Sequence, residues 1–151
     1  MRFAAIIIVS FVGMEFFSYL VHRFVYHKLM WILHKSHHTR REGMFELNDL
    51  FPLAFATVTI FLMVKGSAEG SGSDLLAASI GIALYGMVYF TIHDLYVHRR
   101  AKFVSLKIPW LIKVKKAHAL HHRYGGEPYG LLMFFNTERV EREVVQEEEV
   151  V

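Results

Sequence analysis

Apolar positions along the chain gather in long runs, separated by short polar stretches rich in histidine. Phe3 to Val21 is apolar except for Glu15 and two serines, and Leu75 to Ile92 carries no charge. Leu50 to Val64 is also uncharged but shorter. A helix needs roughly 17–25 apolar residues to cross the hydrocarbon core. The first and third runs qualify, and the second must borrow flanking residues or thin the bilayer locally. The alternative for the second run, a buried soluble helix, sits poorly between two membrane-like neighbours. The fold expected is an all-α integral membrane bundle of three transmembrane helices, with a histidine-rich helical cap. Phe103 to Val114, around Pro109 and Trp110, reads as an interfacial segment. Tyr129 to Phe135 is too short to span alone; a re-entrant stretch, an interfacial stretch and a short fourth span near 128–136 remain open for it. Residues 1–137 form the expected membrane-embedded catalytic domain. Residues 138–151 form a tail with six glutamates.

Charge fixes the expected orientation. With three spans, His22 to Asp49 and His93 to Arg123 fall on one side. They carry Arg23, Lys28, Lys35, Arg40 and Arg41 in the first stretch, and eight bases from Arg99 to Arg123 in the second. The other side has only Arg2 and Lys65. Basic loops stay inside, so both histidine stretches and the C-terminus are expected in the cytoplasm and the N-terminus outside. The net charge of +3 and pI near 9.2 are explained by this topology, and no nucleic-acid partner is expected. The first run lacks a following small-residue cleavage site and leads into the histidines, so it reads as a retained span and not a signal peptide. There is no cysteine, which excludes disulfides, thiolate zinc and cysteine-ligated iron–sulfur clusters on this chain.

The ten histidines sort into four groups. His22 and His27 form HxxxxH, and His34, His37 and His38 form HxxHH. His93 with His98, and His118 with His121 and His122, repeat both patterns in the same order. On a helix, HxxHH presents three imidazoles within one arc. HxxxxH sets its members about 140° apart on an α-helix, so such a pair touches two different metals or sits where the helix unwinds. One histidine alone would be an interfacial polar residue; ten in a repeated pattern indicate metal binding. Structural zinc wants four ligands in a closed tetrahedron. Ten nitrogens divide more naturally into two sites of about five, each with an open position, which suits oxygen activation by iron.

Neutral imidazoles leave the metal charge uncompensated, so carboxylates should receive ring N–H groups. Glu46, Asp49 and Asp94 are in place for this. Asn48 and Asp49, just ahead of an apolar run, serve equally well as helix caps. Glu15 lies within a span, a costly place for a carboxylate and a functional candidate. Glu15, Tyr19, His22 and Tyr26 make one stripe; Tyr85, Tyr89, His93 and Tyr96 make another. Each stripe reads as a polar line to the metal site, a substrate channel lining, or interhelical packing with a polar pair.

The run HKSHHTRREGMFELNDLF from His34, with GMEFF before it and YGMVYFTIHDLYVHRR and KAHALHH after it, resembles bacterial-type β-carotene hydroxylases. These belong to the fatty acid hydroxylase superfamily of membrane di-iron enzymes, and the resemblance covers roughly Gly13 to Phe134. It implies hydroxylation of C3 on a β-ionone ring, taking β-carotene through β-cryptoxanthin to zeaxanthin. It also implies that the ten histidines are ligands of two non-haem iron ions. Such a reaction uses O2 and two external electrons. The chain shows no GxGxxG fingerprint and no cysteine, so a separate donor such as a ferredoxin is expected on the basic surface. A carotenoid is about as long as the hydrocarbon core is thick, roughly 30 Å, so one ring can reach the site while the polyene stays in lipid. The rival readings are a fatty acid or sterol hydroxylase or desaturase, a metal transporter with midplane ligands, and a bis-histidine haem carrier. Oligomeric state is not legible.

Overall fold

The computed structural model describes residues 1–39, 43, 45–100 and 106–133. Arg40, Arg41, Lys102, the start of the expected interfacial segment and the acidic tail lie outside the described residues. All regular structure among the described residues is helical. The chain divides into two compact units, Met1–Phe90 and Thr91–Val151.

In the first unit, α1 (Arg2–Leu20) runs on into a stretch of wide π-helical turns, Val21–Leu29, followed by α2 (Trp31–His38). A 3-10 turn, Leu47–Asp49, leads into α3 (Leu50–Ala68), and α4 (Asp74–Tyr89) follows. A second π-helical stretch, Phe90–Val97, continues α4 towards the second unit. Among the described residues, three helices are long and apolar enough to cross a membrane: Arg2–Leu29, Leu47–Ala68 and Asp74–Val97. The second is longer than its uncharged run suggests, because it borrows residues on both flanks. Large apolar side chains such as Ile8, Val9, Leu53, Ile60 and Val64 stand outward, as lipid-facing positions must.

Lipid removes the hydrophobic drive between helices, so small residues that allow close approach hold them together. Ala77, Gly81 and Tyr85 form the buried stripe of α4, and α4 packs on both α1 and α3. A Cβ built on Gly81 would lie 2.4 Å from the Ile7 carbonyl oxygen, and one on Gly66 would lie 2.4 Å from the Leu76 nitrogen. Hydroxyls inside the spans bond back to their own helix: Thr59 to the Phe55 carbonyl at 2.7 Å and Ser79 to that of Leu76 at 2.8 Å. Ser73 caps α4 by accepting from the Leu75 and Leu76 amides. An Arg2–Asp74 ion pair joins the starts of α1 and α4.

In the second unit, α5 (Pro109–Tyr124) starts on proline and ends at Gly125, whose φ of +70° suits a helix stop. Leu106, Ile108, Trp110 and Ile112 stand partly exposed beside Lys107 and Lys113. Residues 128–133 are not helical, so the described part of the last apolar stretch contributes no fourth span.

Replacing Gly81 by leucine should drive α1 from α4 and lower stability by about 1–3 kcal/mol, whereas Gly86→Ala, with open space around its Cβ, should be tolerated. Thermal unfolding of both variants in detergent tests this; equal melting points would contradict the close-approach account.

Candidate metal centre

Residues five apart do not share a face of an α-helix, yet each HxxxxH pair lies together. The wide turns are the reason. Met30 N–H donates to the Val25 carbonyl at 2.8 Å, and His98 N–H to that of His93 at 2.9 Å. Both are i→i+5 bonds, which bring residue i+5 over residue i. His22 and His27 ring centroids are 5.0 Å apart, and those of His93 and His98 are 4.6 Å apart. This corrects the 140° separation expected of an α-helix: the helix neither unwinds nor sends the pair to opposite faces.

In the first unit, one ring nitrogen from each of His22, His27, His34 and His38 lies within 4.8 Å of all the others. The His34 Nε2 atom sits 3.1 Å from that of His22 and 3.2 Å from that of His38. Tyr26 stacks on Phe51 with ring centroids 3.8 Å apart, and both rings flank His34. Trp31 lies against His27 and His38. In the second unit, His93, His98 and His118 converge within the same limit, with the Nε2 atoms of His98 and His118 2.9 Å apart.

The HxxHH boxes divide. His34 and His38, one turn apart, face each other, while the neighbouring His37 is rotated by about 100°. His37 is buried, its Nδ1 3.4 Å from Glu46 Oε2. His122 packs its ring on His98 and His118. His121 is fully buried, and its Nδ1 donates to the Gly126 carbonyl at 2.6 Å.

Other rings are also held by Nδ1. His34 Nδ1 donates to Asn48 Oδ1 at 2.7 Å, and His93 Nδ1 lies 3.2 Å from Asp94 Oδ2. Asp49 is instead a cap, receiving the Glu46 amide at 2.9 Å. Glu15 accepts from the Tyr85 hydroxyl at 2.8 Å, both side chains nearly fully buried; the stripe therefore includes a polar pair between α1 and α4. Two contributors have little or no signal in the sequence. Ser36, inside the first box, takes the Asn48 amide at 3.1 Å and donates to the Leu33 carbonyl at 2.9 Å, which sets Asn48 in place. Gly126 acts through its carbonyl alone.

These residues fit a metal. With Nδ1–H committed to Asn48, a neutral His34 offers only a lone pair at Nε2, and two further imidazole Nε2 atoms face it. Lone pairs so placed can be shared by a cation among them. A transition metal binding imidazole at about 2.1 Å sets neighbouring ligands, at right angles, about 3 Å apart. Burial lowers the His34 pKa to about 4 against the opposing Asn48 hydrogen bond, so at neutral pH the ring is in its metal-binding form.

The sequence profile of the fatty acid hydroxylase family matches residues 7–139. The chain is 42% identical over 127 residues to "Beta-carotene 3-hydroxylase 2, chloroplastic" of Arabidopsis thaliana, covering 81% of this chain and 42% of that protein. It is 39% identical over 128 residues to "Beta-carotene 3-hydroxylase, chloroplastic" of Haematococcus lacustris, covering 80% and 40%. It is 40% identical over 122 residues to "Beta-carotene hydroxylase" of Pseudescherichia vulneris, covering 80% and 68%. The chain thus spans about two fifths of the length of the chloroplastic relatives. No solved structure matches it. A profile that takes in nearly the whole chain and relatives at this level of identity lead to one conclusion: the chain belongs to the fatty acid hydroxylase family.

Proposed function

We propose that the chain is an O2-dependent carotenoid hydroxylase, acting at C3 of β-ionone rings to make β-cryptoxanthin and zeaxanthin from β-carotene. Its ligands are His22, His27, His34, His37, His38, His93, His98, His118, His121 and His122, and its cofactor is a pair of non-haem iron ions. The observation that carries the reading is the facing of imidazole Nε2 atoms at 2.9–3.2 Å in both units. The names of the relatives support the carotenoid as substrate. Iron so held supplies the activation of O2 that puts one oxygen atom into a C–H bond, the other leaving as water.

The protein's part is to orient and to exclude. Asn48, Asp94 and the Gly126 carbonyl take up ring Nδ1 atoms, and Glu46 stands beside that of His37, which leaves Nε2 for the metal. Tyr26, Phe51 and Trp31 wall the first set of rings. Apolar spans hold the substrate at the depth where its ring meets the histidines. Exposed bases in each unit, Lys28 and Lys35 in the first and Lys113, Lys116 and Arg123 in the second, favour a separate acidic electron donor of the ferredoxin kind. The excess of bases supports a cytoplasmic location for both histidine stretches.

In a bacterium that makes β-carotene, the full chain should convert it to zeaxanthin on pigment chromatography. His37→Ala and His121→Ala should abolish conversion while the protein still enters the membrane. Altered lipids with unaltered carotenoids would favour an acyl or sterol substrate instead. Asn48→Ala should weaken binding of one iron by about 10–100-fold, read by chelator competition; unchanged affinity would remove Asn48 from the site. The absence of cysteine makes sidedness simple to measure. Ser71→Cys should react with an impermeant thiol reagent on intact cells and Lys116→Cys only after lysis; the reverse pattern would invert the topology.

A further inference from the structure

The second π-helical stretch ends in an unusual way. Arg99 has φ of +51°, a left-handed conformation that glycine adopts far more easily. The next amide, Arg100 N–H, reaches back to the Asp94 carbonyl at 3.0 Å. This is the helix-ending pattern of a left-handed residue followed by a long backward bond, widened to suit the π turn it closes. Its effect is to bring the Arg100 side chain over the residue that follows His93.

There the side chains form a short line. Arg100 Nε is 3.0 Å from Asp94 Oδ1, the two side chains being 16% and 13% exposed. The other carboxylate oxygen, Asp94 Oδ2, is 3.2 Å from His93 Nδ1. The carboxylate thus has a guanidinium beside one oxygen as an ion pair and an imidazole beside the other. The histidine it touches is one of the three whose nitrogens converge in this unit. The repeated pattern of the chain differs at this point: the residue after His22 is Arg23, whereas the residue after His93 is Asp94.

We propose that Arg100 is a positioning residue for the second metal, acting through Asp94 on His93. A carboxylate beside the histidine it serves must hold one rotamer to reach Nδ1. Arg100 fixes that rotamer and compensates the charge of a largely desolvated carboxylate. With Arg100 in place, the His93 ring keeps Nδ1–H on Asp94 and Nε2 towards His98 and His118. The inference rests on the reading of these histidines as iron ligands. Arg99 is exposed and carries the same charge one residue away, so it separates positioning from the general field of a cation.

The test is iron binding by the purified full chain, read by chelator competition, with cobalt(II) absorption as a second signature of ligand geometry. Arg100→Gln and Asp94→Asn should each weaken one of the two irons by about 10-fold and alter the cobalt spectrum. The double variant should be no weaker than Asp94→Asn alone, because both changes break the same line. Arg99→Gln should leave affinity and spectrum within twofold of the starting protein. Unchanged binding in Arg100→Gln, or losses that multiply in the double variant, would overturn the proposal and leave the metal reading intact. Should Arg100→Gln fail to fold, Arg100→Met, which keeps the length of the side chain without its charge, decides by the same criteria. A starting protein that binds neither iron nor cobalt would overturn the metal reading itself.

Discussion

Backbone hydrogen bonding at the edge of a lipid layer is the constraint on which the histidine sets depend. In hydrocarbon, and close to it, an amide without a partner is too costly to leave. A helix therefore cannot simply unwind to bring two side chains together. The i→i+5 turn changes the angular spacing of residues while every N–H keeps an acceptor, as the Met30–Val25 and His98–His93 bonds do. Such turns are rare and frequent at functional sites. Here they convert an HxxxxH spacing, unfavourable on an α-helix, into two adjacent imidazoles at each of two span ends.

Convergence alone does not make a ligand set. Each imidazole has two nitrogens, and the one facing the metal must be the unprotonated one. The partners of the other nitrogen therefore decide the chemistry. They differ: an amide at His34, a carboxylate at His37, a carboxylate at His93, and a backbone carbonyl at His121. An amide or carbonyl accepts the N–H without pulling the proton away. A carboxylate polarises the ring further, which makes the other nitrogen a stronger donor to a cation. Each unit thus has one neutral acceptor and one carboxylate beside its rings, carried by different members of the repeated histidine pattern.

The parts of this fold that were legible in the sequence are those that local pattern determines. Apolar runs located all three spans, and the repeated histidine groups marked the rings that converge in each unit. That the second run borrows flanking residues was legible, but not which ones: Leu47–Asp49 and Lys65–Ala68 extend that helix. The π turns were invisible because nothing in VHRFVYHKL or FTIHDLYV distinguishes five-residue from four-residue hydrogen bonding. His37 parted from His38 because adjacent residues on a helix diverge, which the HxxHH count obscures. Asn48 and Asp49 were equivalent by position, and only the backbone of the 3-10 turn sends one to His34 and makes the other a cap. Arg100 had no signal beyond its place in a basic run, since its role follows from the left-handed Arg99.

Rigidity is the remaining requirement, because ligand nitrogens must stay within fractions of an ångström of their places. A soluble protein would secure this with a large apolar core, which lipid makes ineffective as a driving force. The first unit uses other means. Gly81 lets α4 touch the backbone of α1, Gly66 lets α3 touch that of α4, and the Tyr85 hydroxyl bonds Glu15 between them. In lipid, a carboxylate separated from its partner would have no water to turn to, so the Glu15–Tyr85 pair resists separation of the helices. Glu15 lies two helical turns before His22, and Tyr85 lies two turns before His93. The polar pair thus fixes α1 against α4 below the points where each helix runs on into a widened, histidine-bearing turn. That placement accounts for a buried carboxylate in a span.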